Sequence, residues 1–229
     1  MNLIVCLHAP PATTDGHTLG RDDTHALGHA LALAGTGPSH RVTAVLAGSA
    51  LETGPLHRAL AAGAHRAVRV GGDDFGAADF HTVGQVLAVA IRRLDADLIL
   101  TGGRSDDDGL GAVPAAVARY LGIGYVASVE EIAMAGDGAV EVVVRGAGRK
   151  RRLRVKLPAV LSVVAGPQDS VIAPDRTGNP AEIDLLSLAD PEATVVRRRT
   201  ELLGREEPAS RGTEEVTSAA ALVAALIRR

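Results

Sequence analysis

The sequence predicts an α/β fold: a mostly parallel sheet with helices on both faces, carrying an inserted β-hairpin and ending in an arm and a helix. Three observations predict it. Short, continuous apolar runs alternate with helix-period segments through the first hundred residues. The apolar runs lack an in–out alternation, as in strands covered on both faces. The rhythm then changes to charged, alternating segments separated by glycine-rich turns.

The first strand is LIVCL, Leu3 to Leu7. A helix follows over DDTHALGHALALA, with Leu27, Leu31 and Ala34 on one face. The second strand is Arg41 to Ala47. A helix over LHRALAAGA places Leu56 and Leu60 together, and Gly63 is its expected C-cap. Arg66 to Val70 is the third strand. In DFHTVGQVLAVAIRRL, Val83, Leu87, Ile91 and Leu94 recur at helical spacing, and Asp79 is placed to cap. Asp97 to Gly102 is the fourth strand.

From Tyr125 to Gly166 the chain reads as antiparallel β. AVEVVVR and RRLRVKL are strand-like, GDG at Gly136 to Gly138 and GAG at Gly146 to Gly148 are turns, and PAVLSVVAG is a further buried strand returning to the main sheet. The hairpin is expected at about 126–156, within an α/β domain over 1–190. The segment 191–229 reads as an extended arm followed by a helix, capped by Thr217, with Leu222, Val223, Leu226 and Ile227 on one side. An apolar helix after a polar arm needs a surface to dock on, in its own domain or on a partner.

Composition narrows the function classes. The chain has 229 residues, 46% of them hydrophobic, enough for a substantial core. Aromatics are 2%, which disfavours a base-stacking platform for nucleic acid. A net charge of −3 gives no general attraction for a polyanion. The single cysteine, Cys6, permits no disulfide within the chain and fits a reducing compartment. No apolar run approaches the ~18 residues of a membrane span, and the start lacks a signal-peptide pattern. The expectation is a soluble, cytoplasmic protein.

The informative stretch is Leu98 to Gly124, LILTGGRSDDDGLGAVPAAVARYLGIG. A strand empties into glycines, then Asp106, Asp107 and Asp108 stand in a row, then a helix opens around Pro114. Three readings stay open. A metal cup is disfavoured, because neighbouring side chains of an extended segment point to alternate sides. A solvated turn is favourable, because acids suit a helix N-terminus. A phosphate cradle draws on Gly102, Gly103, Gly109 and Gly111, which let main chain approach a ligand, and on free N–H groups at the helix start. Three carboxylates repel phosphate, so in that reading they point away or contact the sugar. His25 and His29 have metal-capable spacing without an evident third ligand. No nucleophile motif appears, so catalytic residues are expected to be absent. The basic hairpin segment Arg149–Lys156 reads as a solvated strand face first and a recognition surface second.

The ordered pattern of these segments resembles the β subunit of electron-transfer flavoproteins. The carrying residues are Gly102, Gly103-Arg104-Ser105, the Asp106–Asp108 turn, VARYLGIG, and the LPAV entry at Leu157 to Val160. Others are LHRALAAGAHRAVRV, DDTHALGHAL with Asp23 at the family's acidic position, and the closing VTSAAALVAALIRR. The resemblance implies a nucleotide-binding, HUP-like domain that pairs with an α subunit. It implies AMP, or a second FAD, in this chain and an FAD shared with the α subunit. Electrons would pass from a dedicated dehydrogenase to a quinone-linked acceptor. Ser105, Asp107, Asp108, Gly109, Leu110, Gly111, Ala112 and Val113, with Gly102 and Gly103, would line the nucleotide. Cys6, Ala47 and Gly48, at the ends of the first two strands, would join them. The family's polar phosphate-facing side chains fall at Gly111, Ala112 and Val113, so main-chain N–H groups would carry the phosphate. VIAPDRTGNPAE stands where the family's partner-recognition segment is lysine-rich. That marks a divergent member serving a dedicated dehydrogenase; subunits encoded beside mycofactocin redox systems are one such class. The alternatives are a stand-alone adenine-nucleotide module and a scaffold that has lost its nucleotide.

Overall fold

The computed structural model describes residues 1–8, 19–71, 78–105, 109–146, 148–165 and 183–186. Four of its strands and four helices make the alternating half. They are β1 (Asn2–Leu7), α1 (Arg21–Ala34), β2 (Arg41–Ala47), α2 (Gly54–Ala62), β3 (Arg66–Val70), α3 (Phe80–Arg92), β4 (Leu98–Gly102) and α4 (Val113–Leu121). Then come β5 (Gly124–Gly136), β6 (Ala139–Gly146), β7 (Arg149–Lys156), β8 (Ala159–Val163) and the short β9 (Asp184–Leu186).

The nine strands among the described residues form one open sheet in the order β7-β6-β5-β8-β4-β1-β2-β3-β9. The chain steps from β1 through β2 to β3 in one direction, then places β4 on the other side of β1. The strand order therefore reverses between β1 and β4, the position where open α/β sheets hold ligands.

Adjacent residues in β1 face opposite helix layers, and residues two apart share one. Leu3, Val5 and Leu7 pack with Ala26, Leu27, Ala30 and Leu33 of α1 and with Leu56 and Ala59 of α2. Ile4 and Cys6 pack with Val86, Leu87, Ala90 and Ile91 of α3 and with Val117 and Ala118 of α4. Small side chains let the layers approach closely. A Cβ at Gly84 would lie 2.6 Å from the Ala116 Cβ, so the α3–α4 crossing depends on that glycine.

The caps follow the sequence. The Asp79 carboxylate accepts the Thr82 N–H at 2.8 Å, and Gly63 ends α2 in the left-handed region at φ 111°. The buried face of α1 is Ala26, Leu27, Ala30 and Leu33, turned slightly from the expected Leu27–Leu31–Ala34 line, with Leu31 and Ala34 at its margin.

The β-rich region keeps the expected antiparallel hairpin and the expected return of PAVLSVVAG to the main sheet, but not every pairing in it is antiparallel. Only β5–β6 and β6–β7 are antiparallel; β8 lies between β4 and β5 and is parallel to both. The hairpin thus extends the main sheet. β5 achieves this with 13 residues and an irregularity between Val129 and Glu131, preceded by Ser128 at φ 57°. β9 was not foreseen: three residues pair in parallel with β3, and Asp184 there meets Arg66 at 2.5 Å. The expected arm and C-terminal helix lie outside the described residues, as do Asp107 and Asp108.

Candidate nucleotide site

The crevice between β1 and β4 is organised by the first turn of α1. Asp23 is buried. Its Oδ2 accepts the His8 N–H at 2.8 Å and its Oδ1 accepts the Gly102 N–H at 3.0 Å. One carboxylate therefore ties the ends of the two strands that flank the reversal. Its neighbour Asp22 accepts the Ala165 N–H at 3.0 Å, just beyond β8. The pair holds the carboxyl ends of β1, β4 and β8 to α1, with each bond charge-assisted.

Two glycines accommodate this arrangement. A Cβ on Gly102 would overlap Asp23 Oδ1, and one on Gly103 would lie 2.7 Å from Val164 Cγ1. The Gly103 N–H donates to the Val163 carbonyl at 2.7 Å. Gly111 sits at φ 58°, and a Cβ there would strike the Gly103 carbonyl. The close approaches at Gly102, Gly103 and Gly111 are thus met from within the chain.

The other expected site residues separate into groups. Cys6 lies in the core facing α3 and α4; burial first, then the nearby Asp23 carboxylate, push its thiol up to about 12. Ala47 ends β2 against the same layer. The Gly48 N–H donates to the Val70 carbonyl at 2.9 Å, and the Gly48 carbonyl accepts from Arg69 at 3.1 Å. The Ser105 carbonyl accepts the Gly109 N–H at 3.2 Å. Leu110 is 66% exposed on the rim of the loop.

Gly111, Ala112 and Val113 remain. Ala112 precedes α4, no side chain caps that helix, and Pro114 stands in its first turn. The N–H groups of Gly111, Ala112 and Val113 have no hydrogen-bond partner among the described residues. Asp22 and Asp23 are committed to strand ends, and the start of α4 carries the positive end of its helix dipole. This end suits an anion held by main chain alone. Sequence reasoning picked out the loop and Asp23 but not the hydrogen bonds that make Asp22 and Asp23 a clamp. The signal was the acidic pair opening an otherwise apolar helix.

A profile of the electron transfer flavoprotein domain matches residues 12–191, well over half of the chain. The chain belongs to the electron transfer flavoprotein family. Similar members are beta subunits. That of Clostridium acetobutylicum is 32% identical over 152 residues, covering 60% of this chain and 58% of the relative. That of Syntrophomonas wolfei is 34% identical over 140 residues, covering 61% and 54%. That of Mycobacterium tuberculosis is 32% identical over 123 residues, covering 53% and 46%. The chain spans about half the length of these relatives. The family match extends across the clamp, the loop before α4 and the hairpin. Among the described residues, no helix is long and apolar enough to cross a membrane, and no group of three His, Cys, Asp or Glu side chains is arranged to hold a metal.

Proposed function

We propose that this chain is the β subunit of a heterodimeric electron-transfer flavoprotein, binding AMP structurally at the start of α4 while an α subunit carries most of the FAD site. The observation that carries the nucleotide part is the start of α4, which has no side-chain cap and three main-chain N–H groups without partners among the described residues. A phosphate there gains from those donors and from the helix dipole. The Asp22 and Asp23 carboxylates repel it from the β1–β4 gap, so it belongs on the α4 side.

The residues fit a bound mononucleotide better than a catalytic role. Cys6 is buried and protonated at neutral pH, so it offers no thiolate nucleophile. The partner's flavin, when bound, supplies the redox chemistry. This chain's residues would bind the nucleotide at the start of α4 and present surfaces to the partner. The electrons would come from a dedicated dehydrogenase and leave to a quinone-linked acceptor, inside the cytoplasm.

Co-expression with an α subunit tests the pairing. The expected product is a yellow complex with a flavin absorbance spectrum. A stable, colourless monomer that ignores the α chain would overturn the reading and favour a stand-alone nucleotide module.

A further inference from the structure

The strand β7 ends the sheet, and no strand covers its outer edge among the described residues. Its residues read RKRRLRVK, and all but Val155 are exposed. In an antiparallel strand, alternate residues turn their N–H and C=O groups away from the paired neighbour, leaving a ready template for another strand. Six of its eight side chains are cationic.

The charges are arranged for selectivity. Alternation puts Lys150, Arg152, Arg154 and Lys156 on one face and Arg149, Arg151, Leu153 and Val155 on the other. On the first face, Lys150 lies 3.3 Å from Glu130 and 3.4 Å from Glu131, Arg152 lies 3.9 Å from Glu141, and Arg154 lies 3.7 Å from Asp137. On the second face, Arg149 and Arg151 have no ion pair among the described residues, and they stand beside the exposed Leu153. Neither face offers a run of cations unpaired among the described residues such as a polyanion needs; the feature common to both is the main-chain edge, which no described strand covers. A second copy pairing here would oppose cation to cation in almost any register, which is destabilising. An acidic strand would meet opposite charges and the apolar Leu153.

We propose that the outer edge of β7 is a pairing edge for an extended, carboxylate-rich segment of the partner subunit. This rests on the subunit reading above. The same cations that admit such a strand turn away a second copy of this chain.

Hydrogen–deuterium exchange over residues 149–156 tests it, using the full-length chain alone and co-purified with the α subunit. The expected result is at least about tenfold slower exchange along β7 in the complex. The variant R149E/R151E, which breaks no ion pair of this face, should fold normally and weaken the complex by about tenfold or more, equivalent to about 1.4 kcal/mol. If that variant misfolds, R149Q/R151Q with the wild-type exchange data decides. A complex that forms while β7 exchange stays unchanged overturns the edge proposal and leaves the subunit reading intact. No complex at all overturns both. Protection in the lone chain that grows with its own concentration, or on adding heparin, assigns the edge to a second copy or a polyanion and overturns the proposal.

Discussion

The Asp23 carboxylate accepts the Gly102 N–H at 3.0 Å, and the same oxygen occupies the place where a Gly102 side chain would begin. The acid and the glycine are a matched pair: one supplies the acceptor and the other supplies the room. Gly102→Ala should cost about 1–3 kcal/mol, as overpacking against fixed atoms does. Asp23→Ala removes the carboxylate acceptor from the half-buried His8 and Gly102 N–H groups and should cost about 2–4 kcal/mol. Urea denaturation followed by circular dichroism checks both through the midpoint at constant slope. Near-native midpoints would contradict the clamp.

The start of α4 gives a prediction in which stability and binding move in opposite directions. Ala112→Asp sets a carboxylate at an uncapped helix start. It should stabilise the chain by about 0.3–1 kcal/mol through the helix dipole. The same charge should repel a phosphate and reduce bound nucleotide at least several-fold. Thermal melting and nucleotide extraction, run side by side on the complex, read the two effects. A variant that keeps its nucleotide would move the site elsewhere.

Cys6 should resist thiol reagents in the folded chain at pH 8 and react once urea unfolds it. Burial, with Asp23 adding to it, raises its pKa from 9.0 to about 12. The unfolded thiol therefore ionises first as pH rises, so the stability it contributes is complete below pH 9.0 and is lost on the way to about 12. Cys6→Ala should flatten that alkaline decline. Rapid labelling of the native chain would contradict the burial.

His29 sets an acid limit. Its Nε2 lies 3.2 Å from the Glu130 carbonyl, tying α1 to the irregular part of β5. Burial lowers its pKa below 6.5, with His25 adding to the effect; the Glu130 carbonyl and Glu131 oppose it. A depressed folded pKa means the unfolded chain takes up the proton first. Stability is therefore full above 6.5 and falls as pH drops through the folded value. Urea midpoints measured across that range should fall less in His29→Gln than in the wild type.

Much of the fold was legible because its signals are local. Continuous apolar runs marked β1 to β4 and β8, and Asp79 and Gly63 marked helix ends. The missed features are long-range. Three-residue β9 is a strand only because β3 offers it an edge. The placing of β8 between β4 and β5 depends on a crossover that no window of sequence contains. At the site, the glycine-rich loop was legible, but the reason for its glycines was not. Gly102 and Gly103 read as room for a ligand, whereas Asp23 and Val164 fill that space. That the amides of Gly111 to Val113 have no partner among the described residues emerges only once the other donors are traced to their acceptors.

The most direct test of the account is mass spectrometry of the small molecules released by denaturing the co-purified complex of this chain and its α subunit. The account predicts AMP in about one equivalent beside FAD, with the AMP lost in Ala112→Asp. A yellow complex that releases flavin but no second nucleotide, with the start of α4 covered by the protein's own residues, would contradict it.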